Sequence, residues 1–229
     1  MNYLIAACVL LVSYLLGSIP TGLVIVKVFA GKDIRQVASG RTGGTNAMRA
    51  AGFWAGLGTA ALDLFKSAAA VWIALMAVPG SHWLPVFAPL SAILGHNYSI
   101  FVLERGERGQ LRLRGGAGGA PTAGGAIGLW PLSIFIIVPV AALILYFVGY
   151  ASLATLGIGL IAIVIFAVRA GSGASPWQYI LYGLLAEILL VWALRPNIQR
   201  LASGTERLVG FRARKKKEQG ELEEPQNFG

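Results

Sequence analysis

Long apolar runs limit what this chain can fold into more than any motif does. They lie at about 3–26, 53–78, 83–103, 132–149, 152–168 and 177–194. A helix rises about 1.5 Å per residue, so even the shortest can just cross a hydrocarbon core of roughly 30 Å. Helices also satisfy their own backbone polar groups, which lipid cannot do for them. Only 13% of the 229 residues are charged, against about a quarter in soluble domains. The chain therefore reads as an all-α, polytopic integral membrane protein. Its single cysteine, Cys8, lies in the first run, which leaves no disulfide framework and no cysteine-based metal site. No Lys or Arg precedes that run, so it is expected to be a retained span rather than a cleaved signal peptide. Pro20 should kink or interrupt it.

The cations give the topology. All but two of the 19 Lys and Arg residues, Lys66 and Arg169, fall in the 27–49 loop, the 104–114 loop or the stretch from Arg195 onward. Cationic loops mark the cytoplasmic side, so all three belong there. The number of crossings between Arg114 and Arg195 must then be even. Three long apolar runs are obvious in that interval, and the fourth crossing falls to the glycine-rich 115–131 stretch. Seven membrane helices follow, one short and Gly-rich, with the N-terminus outside and the C-terminus cytoplasmic. Residues 1–206 form one membrane-embedded domain, and 207–229 form a basic, then acidic tail expected to be disordered. The net charge of +9 sits at the ends of spans, which fits membrane orientation and anionic lipid better than nucleic acid.

Between the first two spans stands Ser39–Gly40–Arg41–Thr42–Gly43–Gly44–Thr45–Asn46–Ala47–Met48–Arg49. Glycines let backbone amides approach a ligand, and hydroxyls and guanidinium groups are donors for phosphate oxygens. The stretch reads as an anion site or as a turn contacting headgroups, and it is not a nucleotide P-loop. Arg114–Gly119 reads as a second ligand loop or as close helix packing. The topology puts both stretches and Arg195–Arg200 on one face, which predicts that Ser39, Arg49, Arg114 and Asn197 converge on a single pocket. Asp63 and Lys66, three apart on one span, are expected to form a structural ion pair. His96 is expected to be structural, and Glu187 is open between the two roles. No HExxH, GxSxG or Ser–His–Asp pattern occurs, so no metal, cofactor or triad is expected.

These stretches resemble the bacterial acyl-phosphate:glycerol-3-phosphate acyltransferases. Gly17–Ser18–Ile19–Pro20 resembles the opening motif of that family, and Ser39–Arg49 resembles its SGNxGATNxxR signature, with Arg41 for Asn and Gly44 for Ala. Asp63–Leu64–Phe65–Lys66 resembles its DxxK. Leu94–Gly95–His96 and Phe101 resemble its LGHxxPVF, with Ser99 at the proline. Gly149–Tyr150–Ala151–Ser152–Leu153 and Asn197–Ile198–Gln199–Arg200–Leu201 with Gly204–Thr205–Glu206 resemble its later motifs. The resemblance extends to about Glu206.

The resemblance implies seven membrane helices and a site on the cytoplasmic side of the bacterial inner membrane. It implies transfer of an acyl group from acyl phosphate to glycerol-3-phosphate, giving lysophosphatidic acid, without a protein nucleophile. It implies catalytic roles for Ser39, Arg49 and Asn197. Gly43, Gly44, Thr45, Asn46, Arg114, Gly115, Gly116 and Arg195 are implied to bind substrate. Two departures stand out. Ala117 occupies the place of the second lysine in the KGGKGVAT motif of that family, and Leu194 that of a histidine. They leave open a silent relative that binds phosphate compounds or lipid as a regulator or scaffold. A transporter of phosphorylated solutes is a further alternative, although the paired halves common in transporters are not seen.

Overall fold

The structure, a computed structural model, describes residues 3–105 and 109–220, less the side chains of Arg214, Lys216 and Lys217. Arg108, one of the cations of the 104–114 loop, and the acidic end of the tail lie outside the described residues.

The first apolar run forms α1 (Tyr3–Ser18) and α2 (Thr21–Ala30), separated at Ile19–Pro20. The break expected at Pro20 is there. The Ile19 carbonyl at the break accepts from the Thr21 amide at 2.9 Å and from Lys66 Nζ at 3.1 Å. A loop leads to the short helix α3 (Gly44–Ala51), and α4 (Phe53–Ala77) is the second long helix. Then come α5 (Leu84–Asn97), a hairpin of β1 (Ser99–Arg105) and β2 (Leu111–Arg114), and α6 (Gly119–Leu129). A 3₁₀ turn opens α7 (Ile134–Leu143), which continues as a π turn to Val148. The long helices α8 (Ala151–Gly171) and α9 (Gln178–Ala202) follow, then α10 (Gly210–Glu218).

Among the described residues, five helical segments are long and apolar enough to cross a membrane: Tyr3–Ala30, Phe53–Ala77, Pro131–Val148, Ala151–Gly171 and Gln178–Ala202. The chain is a helical membrane protein. The two other expected spans are shorter: α5 has 14 residues and α6 has 11. Both pack inside the bundle. At the α1–α5 crossing, a Cβ on Gly17 would collide with the Ala92 carbonyl, and one on Gly95 with the Tyr14 carbonyl. At the α4–α6 crossing, Gly124 meets the Leu64 backbone in the same way. Small residues of this kind let backbones approach where no hydrophobic force drives helices together in lipid.

Two expectations are corrected. The third apolar run does not stay helical to Leu103. Its helix ends at Asn97, and Ser99–Arg105 pairs antiparallel with Leu111–Arg114. The Ser99 hydroxyl donates to the Ser18 carbonyl at 2.5 Å and pins the turn against the end of α1. Residues just past Glu206, expected in a disordered tail, are also ordered. Leu208 bridges Tyr150 and the Val209 amide donates to the Gly149 carbonyl at 2.8 Å.

The main core lies where α5, α6, α8 and α9 meet, around Val86, Ile93, Ala126, Phe166 and Tyr182. The Tyr182 hydroxyl donates to the Thr122 carbonyl at 2.6 Å, so its burial leaves no orphan donor. Large apolar side chains on the outside, such as Trp54 (74% exposed) and Phe135 (75%), suit contact with lipid rather than water.

Candidate active site

The site grows from the turn that carries the chain out of α2. Gly40 there has φ +64°, a left-handed conformation that glycine adopts freely. The side-chain amide of Asn46 donates to the carbonyls of Ile34, Val37 and Arg41 at 3.2, 3.0 and 2.8 Å. That amide folds the loop into a bracket, and Asn46 also lines the cavity described next. The α3 helix starts at Gly44 with Gly43 as its cap and no capping side chain. Its first amides have no carbonyl a turn earlier to receive them, and Gly43, Gly44 and Thr45 line a cavity. A helix N-terminus without a side-chain cap is a good place for an anion.

That cavity has a volume of about 510 Å³. Ser39, Arg41, Arg49, Asn197, Arg200, Glu206 and Arg207 form its polar end. Leu57, Leu64, Ile137, Ala141, Leu145 and Ile158, from α4, α7 and α8, form an apolar arm. Glu206 is nearly buried and fully engaged: it accepts from Asn197 Nδ2 at 2.7 Å, from Arg200 Nε at 2.8 Å and from the Ser152 hydroxyl at 3.3 Å. No carboxylate pairs with Arg41, Arg49 or Arg207 among the described residues. Burial pushes the Arg49 guanidinium below its usual value, and neighbouring Arg207 adds to this while Glu206 opposes it. Burial lowers Arg41 likewise, with Arg200 and Arg114 adding to the effect. A bound anion would relieve both.

A second cavity of about 550 Å³ adjoins the first and shares Ser39, Arg41, Arg200 and Arg207 with it. Arg114, Gly115, Gly116 and Arg195 line this one. The pocket expected for Ser39, Arg49, Arg114 and Asn197 is thus spread over two adjoining cavities. Ser39, Arg49 and Asn197 share the first cavity, while Arg114 meets Ser39 in the second. The reason is the hairpin. Arg114 ends β2, and its guanidinium is held by Glu104 of β1 at 2.5 Å and donates to the Ser39 carbonyl at 3.2 Å. Arg195 stacks on Trp192, 3.4 Å from the ring centre. Gly115 and Gly116 are packing residues as well as lining. A Cβ on Gly116 would strike the His96 ring, and one on Gly115 the His96 carbonyl. The Gly116 amide donates to that carbonyl at 2.9 Å.

The two departures, Ala117 and Leu194, both line the first cavity. Sequence reasoning left out Arg41, Arg200, Glu206 and Arg207 as site residues. Arg200 and Glu206 stood in a matched motif, which was the available signal. It also kept Asp63 and His96 away from the site, yet both line the first cavity. The expected Asp63–Lys66 pair forms at 2.9 Å. Thr21 donates to Asp63 at 2.5 Å and His96 Nδ1 lies 3.1 Å from Lys66 Nζ. Among the described residues no group of three His, Cys, Asp or Glu side chains stands together to hold a metal.

The fold and site together define a helical membrane protein with an arginine-rich pocket that continues into an apolar lining, an arrangement suited to a ligand with both a phosphate and an acyl chain. A family model described as glycerol-3-phosphate acyltransferase matches residues 7–204. A glycerol-3-phosphate acyltransferase of Thermus thermophilus is 36% identical over 208 residues, covering 91% of this chain and 97% of that protein. Glycerol-3-phosphate acyltransferase 2 of Moorella thermoacetica is 36% identical over 206 residues, 89% of this chain and 97% of its own length. The crystal structure of PlsY, an integral membrane glycerol 3-phosphate acyltransferase in its glycerol 3-phosphate form, aligns with a TM-score of 0.77 at 30% identity, covering 90% of this chain and 96% of that one. The chain belongs to the glycerol-3-phosphate acyltransferase family.

Proposed function

We propose that this protein transfers the acyl group of an acyl phosphate to glycerol-3-phosphate, giving 1-acyl-glycerol-3-phosphate and inorganic phosphate. The observation that carries the reading is the first cavity itself, with Arg41, Arg49 and Arg207, which have no carboxylate partner among the described residues, at one end and an apolar arm at the other. The arm suits an acyl chain, and the cationic end suits phosphate.

The glycerol hydroxyl oxygen attacks the acyl carbonyl carbon. The bond from that carbon to the phosphate oxygen breaks, and the departing phosphate takes the hydroxyl proton. The donor is already activated, so no protein nucleophile is needed. The protein contributes positioning and charge stabilisation. Arg49, the Ser39 hydroxyl and the amides of Gly43, Gly44 and Thr45 hold phosphate, and Asn197 offers its Oδ1, which has no partner among the described residues. Arg114 positions Ser39 through its carbonyl, and Arg195, Gly115 and Gly116 shape the approach from the adjoining cavity.

Seven membrane helices with the N-terminus outside put this site at the cytoplasmic face of the bacterial inner membrane, in one domain spanning residues 1–206. The distribution of Lys and Arg supports that orientation. Purified protein in bilayers, given both substrates, should release phosphate well above an Arg49→Ala control; equal release would overturn the reading. Ala117 and Leu194 in the cavity wall favour one competing function, a silent phosphate-binding relative. Thermal stabilisation by glycerol-3-phosphate without turnover would support that one.

A further inference from the structure

Past the stretch matched to the family, the chain continues as Gly210–Phe211–Arg212–Ala213–Arg214–Lys215–Lys216–Lys217–Glu218, with five cations against one acid. This segment is helical and docked. The Leu208–Tyr150 bridge and the Val209 amide tie it to the break between α7 and α8. The Phe211 ring stacks on Tyr146, with centres 5.4 Å apart and planes 20° apart. Arg212 donates to the Val148 carbonyl at 3.2 Å. Among the described residues neither Arg212 nor Lys215 pairs with a carboxylate. A basic helix is thus fixed at the end of two apolar spans, beside Tyr146, Phe147 and Phe211, which are 52%, 67% and 51% exposed.

Aromatic side chains at the end of a span sit at headgroup depth, and a cluster of cations held there faces the charged layer of the bilayer. We infer that α10 is an arm that binds anionic phospholipid headgroups of the bilayer in which the protein sits. Directly before it come Glu206 and Arg207, which line the first cavity. Headgroup binding therefore holds that wall of the site as well. The inference uses the proposed orientation only to say which leaflet is met.

Hydrogen exchange of the full chain in lipid nanodiscs tests it, since a disc exposes both leaflets whichever way the protein faces. In discs of phosphatidylcholine with phosphatidylglycerol, amides 211–218 should exchange at least about tenfold more slowly than in phosphatidylcholine alone. The difference should collapse at high salt, because exposed charges are screened. It should also collapse in a Lys215→Gln, Lys216→Gln, Lys217→Gln variant, since Gln is nearly as good a helix former as Lys. Amides of α9 in the same run report whether the fold is intact. A chain ending at Gly220 should keep the lipid effect. Equal exchange in the two lipids at low salt, or slowing that the triple variant keeps, overturns the inference. Loss of the effect on removing 221–229 overturns it too.

Discussion

The Asn197 side-chain amide donates to Glu206 at 2.7 Å, closing the end of α9 back on itself. Glu206 also takes Arg200 and Ser152, so one carboxylate joins α9 to the start of α8 and sets three residues of the cavity wall. Glu206→Gln keeps the volume and removes the charge-assisted bond to Arg200, worth about 1.5–3 kcal/mol. Thermal unfolding in detergent should show a lower midpoint, and turnover should fall with it. A variant with an unchanged midpoint and unchanged turnover would show that Glu206 organises nothing.

Arg49 has no carboxylate partner among the described residues, and it sits on α3 facing the site. Its removal should therefore cost function more than stability. Losing one preorganised donor to developing charge costs about 2.7–4 kcal/mol, or roughly 10²–10³ in rate. Arg49→Ala should lose that much phosphate release while its unfolding midpoint moves little. Arg49→Lys should recover part of it, because lysine restores the charge without the guanidinium fork.

Asn46 behaves in the opposite way. Its amide spends its donors on three backbone carbonyls of the loop. Asn46→Ala leaves those carbonyls short of a donor in a buried place, a cost of about 1–3 kcal/mol. The variant should unfold at a lower temperature. Its residual activity should show a raised KM for glycerol-3-phosphate as the Gly43–Thr45 amides lose their position. A KM change with no change in stability would make Asn46 a ligand contact.

Some of this was legible in the sequence because it depends on summed properties. Span lengths, the break at Pro20 and the side on which cations cluster are read from runs of residues. Ser39, Arg49 and Asn197 do share a cavity. The β1–β2 hairpin was hidden because Ile100–Leu103 is apolar whether it forms a helix or a strand. What ends the helix is a contact distant in sequence, Ser99 on Ser18. Likewise the separation of Arg114 from Arg49 depends on Glu104, a cross-strand partner that no spacing rule identifies. The doubled glycine at 115–116 reads in the sequence as a ligand loop or as close packing, and the His96 ring lies where a side chain on Gly116 would be.

That contact gives a direct test. Gly116→Ala inserts a methyl against the His96 ring, and overpacking of this kind costs about 1–3 kcal/mol. The unfolding midpoint should fall, and a His96→Ala change made in the same chain should restore part of it by freeing the space. Additive losses in the double variant would mean that the two residues do not meet.

Ala117 is the departure with the clearest remedy. It lines the first cavity with Arg41, Arg49 and Arg207, which have no carboxylate partner among the described residues. A lysine there would have little to repel once phosphate is bound, and its ammonium would add a third kind of donor to the site. Ala117→Lys should lower the KM for glycerol-3-phosphate severalfold without lowering kcat. The gain should shrink as salt is raised. The free protein should be slightly less stable, since the added cation faces other cations until ligand arrives. A large loss of kcat would show that Arg41, the cation this chain carries in its first loop, already occupies the position the lysine would take.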